Sequence, residues 1–134
     1  KVVFAQFMAA EFRQALAFSK INGTSLHLAL RDVIGTDHAV VGAMLVEKWR
    51  FAQPLVETIR HQYGPELIDN DMVACVFAAN QISKKLDFGF GGNPLVEELP
   101  AAITKRLGGS LDEVIATAGD LTSLFEEAKI FAKL

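Results

Sequence analysis

The sequence predicts an all-α, compact multi-helix domain of six or seven helices. Three observations carry that prediction. Apolar residues recur at three-to-four-residue steps almost throughout. No run alternates with a period of two, as half-buried strands would. Glycine, proline and small polar residues stand where helices would start and stop. A helix with one apolar stripe must bury it against another element, so the pattern implies helices that cover one another. At 134 residues the chain has the length of one domain, and residues 1–134 read as a single unit.

The first helix carries Phe4, Met8, Phe12, Ala15 and Leu16 on one face and ends at Asn22-Gly23, a pair suited to a left-handed cap. Thr24 or Ser25 can cap the second, which runs through Leu26, Leu30 and Val33 to Ile34-Gly35. Asp37 is a good N-cap for the third. That helix spaces Val41, Leu45 and Trp49 four apart and holds Gly42, which lets another helix come close. Phe51-Ala52-Gln53 breaks it, and Pro54 suits the first turn of a fourth helix. Leu55, Ile59 and Tyr63 line that helix, and Gly64-Pro65 ends it.

Asp69, Asn70 or Asp71 can cap a fifth helix, through about Leu86, with Val73, Val76 and Phe77 as its stripe. Cys75 lies in its apolar run and reads as a small core residue. The glycine-rich stretch 87–94 has no GxxxxGK[ST] pattern and no strand before it. It is expected to be a connection with some mobility, not a phosphate cradle. A sixth helix follows to about Leu107 and stops at Gly108-Gly109. Ser110-Leu111-Asp112-Glu113 is a capping box opening a last helix to near Leu134, bent at Gly119.

Composition excludes several function classes. Hydrophobic residues make up 51% and charged residues 22%, which is globular and not disordered. The longest apolar run, 72–79, is far short of the roughly 20 residues that a spanning helix needs, so no membrane insertion is expected. The first residues do not form a signal peptide. The net charge of −3 argues against a nucleic-acid partner. Lys84-Lys85 and Lys105-Arg106 read as solvated helix ends, where cations suit the dipole. A single cysteine cannot close an internal disulfide, which fits a cytoplasmic setting. The mean hydropathy of +0.27 is nevertheless high for so short a chain. The apolar surplus needs a partner or a further part of the same fold.

Few residues point to chemistry. His27 has no near acidic or histidine partner in sequence and reads as surface or local packing. His38 opens the third helix, His61 ends the fourth, and Asn80 lies on the apolar stripe of the fifth, where a buried amide must be hydrogen-bonded. The three could converge in one pocket; equally, they are two helix-end histidines and one satisfied amide. No HxxxH, HExxH, CxxC or G-x-S-x-G pattern is present. Ser19, Ser25, Ser83, Ser110 and Ser123 have no neighbouring signature of activation. Glu97-Glu98 and Glu126-Glu127 look like solvated faces.

The stretch from Asp32 to Trp49, Asp-Val-Ile-Gly-Thr-Asp-His-Ala-Val-Val-Gly-Ala-Met-Leu-Val-Glu-Lys-Trp, resembles the signature of the HDOD domain family. The likeness lies in a glycine, an acidic residue and histidine, a Val-Gly-Ala step and a tryptophan. Leu55 through His61-Gln62 resembles the family's helix ending in a histidine pair, with Gln62 replacing the second histidine. Val73–Leu86 resembles the next helix, where Ala79-Asn80 stands in the place of an alanine and aspartate in metal-binding relatives. Leu99–Leu107, Gly108 and Ser110–Glu113 resemble the closing helices. Lys1-Val-Val-Phe-Ala-Gln-Phe resembles the residues leaving an H-D/N-I-G-K turn, with Lys1 as its lysine. By that resemblance the chain is expected to lack the domain's N-terminal helices and to be marginal or self-associating alone.

The resemblance implies signalling. HD-superfamily enzymes are metal-dependent phosphohydrolases with histidine and aspartate ligands; HDOD domains resemble them and commonly lack a complete set. With Asn80 and Gln62 in ligand places, His38, His61 and Asn80 are candidates for a vestigial site, and no catalytic residue, metal ligand or cofactor is assigned. The expectation is a non-catalytic regulatory module of a bacterial signalling protein, acting in the cytoplasm through contacts with other signalling proteins or domains, with homo-oligomers also open. The alternative is a metal-dependent phosphohydrolase using His38, His61 and upstream ligands, in which a metal would activate water. A helical nucleic-acid module is disfavoured by the acidic charge.

Overall fold

The structure, a computed structural model, describes residues 1–64, 70–89 and 91–131, and for 130 and 131 the backbone alone. The expected punctuation at Pro65 and Asp69, Phe90 of the glycine-rich stretch and a helix end near Leu134 lie outside the described residues. Among the described residues the chain forms nine helices and no strand. They are α1 (Val2–Phe7), α2 (Ala9–Asn22), α3 (Leu26–Ile34), α4 (His38–Lys48), α5 (Gln53–His61), α6 (Asp71–Lys85), α7 (Ala101–Leu107), α8 (Leu111–Ala118) and α9 (Leu121–Phe131).

The all-α expectation holds, and two breaks raise the count from six or seven. Met8 leaves helical backbone at φ −139°, ψ 49° between α1 and α2. The apolar stripe of Phe4, Met8, Phe12 and Leu16 continues across that break. Gly119 parts α8 from α9 at φ 79°, ψ −142°, a conformation essentially reserved to glycine. Asp120 then accepts from the Ser123 amide (3.0 Å), so the chain restarts as a new helix where a mere bend was expected. The sixth expected helix also starts late, at Ala101. Leu99 precedes Pro100, whose ring disfavours helical backbone at the residue before it. Leu99 is buried instead, and the Glu97 amide donates to Gln81 Oε1 (2.9 Å).

Local capping follows the sequence closely. Gly23 and Gly35 take left-handed φ of 59° and 85°. Asp37 caps α4, accepting from the amides of Ala39 (2.7 Å) and Val40 (3.0 Å) and from Arg31 Nε (2.7 Å). Burial pushes its carboxyl up, but the bonds from Val40, Arg31 and Ala39 outweigh that and hold it below the usual range. Asn70, one of the three expected candidates, caps α6 through the Met72 amide (2.8 Å). The capping box forms, with the Ser110 amide donating to Glu113 Oε2 (2.7 Å). The end of α4 departs from the usual pattern. The Phe51 amide donates to Val46 O (3.0 Å) and the Arg50 amide to Glu47 O (2.9 Å), a Schellman closure. Its left-handed residue is Arg50, at φ 60°. A side chain there costs about 1 kcal/mol relative to ordinary helical backbone.

Two clusters make the interior. Phe4, Ala15, Leu26, Ala29 and Leu30 form one, where α1 and α2 pack on α3. Ala74, Phe77, Ala78, Leu99, Ile103 and Leu111 form the other, where α6 meets α7 and α8. Between them α4 packs on α5 and α5 on α6, with Val56 and Val73 fully buried. Gly42 serves the expected close approach: a Cβ there would lie 3.3 Å from Ile59 Cγ2.

Three expectations about the core are corrected. Trp49 is 63% exposed, because α4 turns Ala39 and Ala43 inward and leaves the larger side chains toward its rim. Cys75 is exposed, not core. The inward residues of α6 are Val73, Ala74, Phe77, Ala78 and Gln81. Cys75 stands two positions from both Val73 and Phe77, about 200° around the helix from each. Val76, expected in the stripe, is exposed too, two positions from both Ala74 and Ala78. No helix among the described residues is long and apolar enough to cross a membrane.

Candidate functional site

The site begins at Asp37. By capping α4 it fixes the first residue of that helix, His38, at the junction of α3, α4 and the end of α5. The turn after α5 carries Tyr63, the chain's single tyrosine, to the same junction. His27, in the first turn of α3, completes a ring cluster. Tyr63 stacks on His27 with centroids 4.5 Å apart and planes 8° from parallel. His38 meets the Tyr63 ring edge-on at 5.1 Å, and its Nε2 lies 2.7 Å from the Tyr63 hydroxyl.

These rings form one wall of a cavity of about 410 Å³. The last turns of α6 supply Asn80, Ser83 and Lys84 on the other side. The glycine-rich stretch closes it. Lys1 Nζ donates to the Gly91 carbonyl, and Gly92, at φ 90°, sits where a Cβ would come within 3.0 Å of Leu26 Cδ2. The stretch connects α6 to α7, as expected, and its described residues also line the cavity.

Burial governs the electrostatics. His38 is pushed down to about 3, first by burial and then by the positive charge of Lys1. Burial also lowers His27 and Lys84, and pushes Tyr63 up to about 12. At neutral pH both histidines and the phenol are thus uncharged. Nδ1 of His27 and Nδ1 of His38 are buried without a hydrogen-bond partner. Since the Nε2 of His38 is engaged by Tyr63, either tautomer leaves its Nδ1 unsatisfied, a cost of order 1–3 kcal/mol.

Of the three candidates read from the sequence, His38 and Asn80 line the cavity together. His61 does not join them; it pairs with Glu57 one turn back on α5, Nε2 to Oε2 3.2 Å. His27 is packed, as one of its two expected readings had it, and not on the surface. Sequence reasoning missed Tyr63, Ser83 and Lys84 as cavity residues. Lys84 is half-buried where a solvated helix end was expected, while its neighbour Lys85 does reach out to Asp112 (2.5 Å). The one usable signal was Tyr63 itself, a lone tyrosine just past a helix end.

The donors present do not suit the metal centre that HD-type phosphohydrolases require. Among the described residues no three histidine, cysteine, aspartate or glutamate side chains stand where they could share an ion. Asn80 offers a neutral amide, and the Nε2 of His38 is taken by a phenol.

The family comparison agrees with the likeness read around Asp32–Trp49: the HDOD domain model matches residues 1–65. The similarities read in 73–86 and 99–113 lie beyond the matched residues. No curated protein and no solved structure matches the chain.

Proposed function

With the HDOD match over residues 1–65 as premise, we propose that the chain is a non-catalytic regulatory module of a bacterial signalling protein, working in the cytoplasm through contacts with other signalling proteins or domains. The observation that carries this reading is the state of His38. A general base must titrate near working pH and have a free nitrogen for the proton it takes. His38 is desolvated into its neutral form, its Nε2 is hydrogen-bonded to the Tyr63 hydroxyl and its Nδ1 is buried. The cavity's rings hold the junction of α3, α4 and α5 together. Exposed apolar side chains offer the surface for partners: Val2, Phe7, Ile21 and Trp49 are each more than 60% exposed. The same surface supports self-association of the isolated chain.

The competing reading is a phosphohydrolase, which the cavity with Lys84 and two histidines would serve. Incubating the purified protein with manganese and a cyclic dinucleotide separates the two. No hydrolysis is expected. Turnover that disappears in His38→Ala would overturn the regulatory reading, as would a transition metal retained in stoichiometric amount through native purification.

A further inference from the structure

The α4–α5 turn exposes four consecutive side chains of alternating chemistry: Lys48, Trp49, Arg50 and Phe51. Trp49 is 63% and Phe51 50% exposed, and Met44, one turn before Lys48 on the same face, is 59% exposed. Two large aromatic side chains left exposed two residues apart are uncommon away from binding surfaces. The backbone beneath them is fixed by the Schellman bonds of Arg50 and Phe51. The position that ordinarily takes glycine is an arginine at φ 60°. That substitution weakens the turn and adds an exposed guanidinium between the two aromatic positions.

Charge identifies the occupant. Glu47, the nearest acid, is paired with Arg60 on α5 (3.3 Å). Among the described residues no carboxylate pairs with Lys48 or Arg50. Two free cations alternating with two exposed rings suit a short segment that alternates carboxylates with large apolar side chains. An extended polyanion suits them less. Nucleic acid or an anionic membrane would also meet Glu47, Glu57 and a chain of net charge −3, whereas a short peptide meets the turn alone.

We infer that the turn 48–51 is a docking site for an acidic, apolar peptide segment of a partner protein, its carboxylates on Lys48 and Arg50 and its apolar side chains on Trp49 and Phe51. The inference rests on the regulatory reading and names the surface through which it acts. Trp49 is the chain's single tryptophan, so its emission reports the site directly. The full chain is titrated with a synthetic peptide repeating Glu-Glu-Leu, and in parallel with a Lys-Lys-Leu repeat, single-stranded DNA, and phosphatidylserine–phosphatidylcholine vesicles. A saturable blue shift is expected with the acidic peptide alone, and it should weaken with added salt. Arg50→Gly keeps the left-handed turn and Lys48→Ala keeps the helix. Each is expected to weaken binding about tenfold with the melting temperature unchanged or higher. No shift with the acidic peptide, unchanged affinity in either variant, or a response to DNA or vesicles instead would overturn the docking site. Those outcomes leave the regulatory reading standing, because that reading falls with the hydrolysis or the retained metal described above and not with peptide binding.

Discussion

The two halves of the molecule are built differently. Residues 1–64 hold the more extensive helix–helix packing, α2 along α3 and α4 along α5, with Ala15, Ala29 and Leu30 fully buried. Residues 70–131 set two short helices and a loop against one long helix, α6. There, α7 and α8 have seven and eight residues, and their core includes a loop residue, Leu99, at 8% exposure. Ion pairs on the surface, Lys85 with Asp112 and Arg106 with Asp71, tie these pieces to α6. The family match covers residues 1–65, yet the cavity needs both halves, since its rings come from the first and Asn80, Ser83 and Lys84 from the second. A ring cluster set in a well-packed half keeps its geometry while the opposite wall depends on less extensive packing.

The largest test of this contrast removes apolar bulk from each half. Leu30→Ala is expected to cost about 3 kcal/mol, because the site is fully buried and closely packed. Leu107→Ala, at the partly buried edge of the other core, is expected to cost about 1 kcal/mol. Urea melts followed by Trp49 emission, which reads the first half, and by far-ultraviolet circular dichroism, which reads both, make the comparison. Equal losses would erase the distinction, while non-coincident transitions would sharpen it into two folding units.

A smaller effect belongs to the rings. His38 titrates near 6.5 when unfolded and is pushed down to about 3 when folded. It therefore stabilises the fold fully above pH 6.5, and that contribution drains away as pH falls from 6.5 toward 3. Between pH 7 and pH 5 the loss is about 2 kcal/mol. His27 shifts in the same direction. His38→Phe keeps a ring in place and is expected to flatten this dependence; an unaltered pH slope would show that the buried histidine is not its source. The smallest effect lies on the surface of the second half. Asp112→Ala breaks an ion pair whose acid is 75% exposed, and is expected to shift stability by less than about 1 kcal/mol, with less effect still at high salt.

Much of the fold was legible because it is local. Asp37, Asn70 and Ser110 satisfy amides two or three residues away, and Gly23 and Gly35 need only their own φ. The stripe of Phe4, Met8, Phe12 and Leu16 was read correctly even though Met8 divides the helix beneath it. Trp49 and Cys75 were misplaced because periodicity names a helical face without saying which neighbour that face meets. Alanines 39 and 43 took the inward side of α4, and Cys75 fell on the far side of α6 from its inward residues.

The site was less legible. His38 and Asn80 were found, but His61 was grouped with them and Tyr63 and Lys84 were not. His61 and Tyr63 stand two residues apart, about half a helical turn, so the rotation at the end of α5 decides which of them faces the cavity. In the fold His61 stays beside Glu57, and the tyrosine beyond the helix end swings in. By itself, then, the sequence determined the helical class, the caps and the HDOD likeness, since each depends on residues within a few positions of one another. Only the tertiary structure decided which side chains share the cavity, that Gly92 lies against Leu26, and that burial leaves His38 uncharged. Those are long-range consequences of packing, and desolvation exists only once the chain has closed around the group.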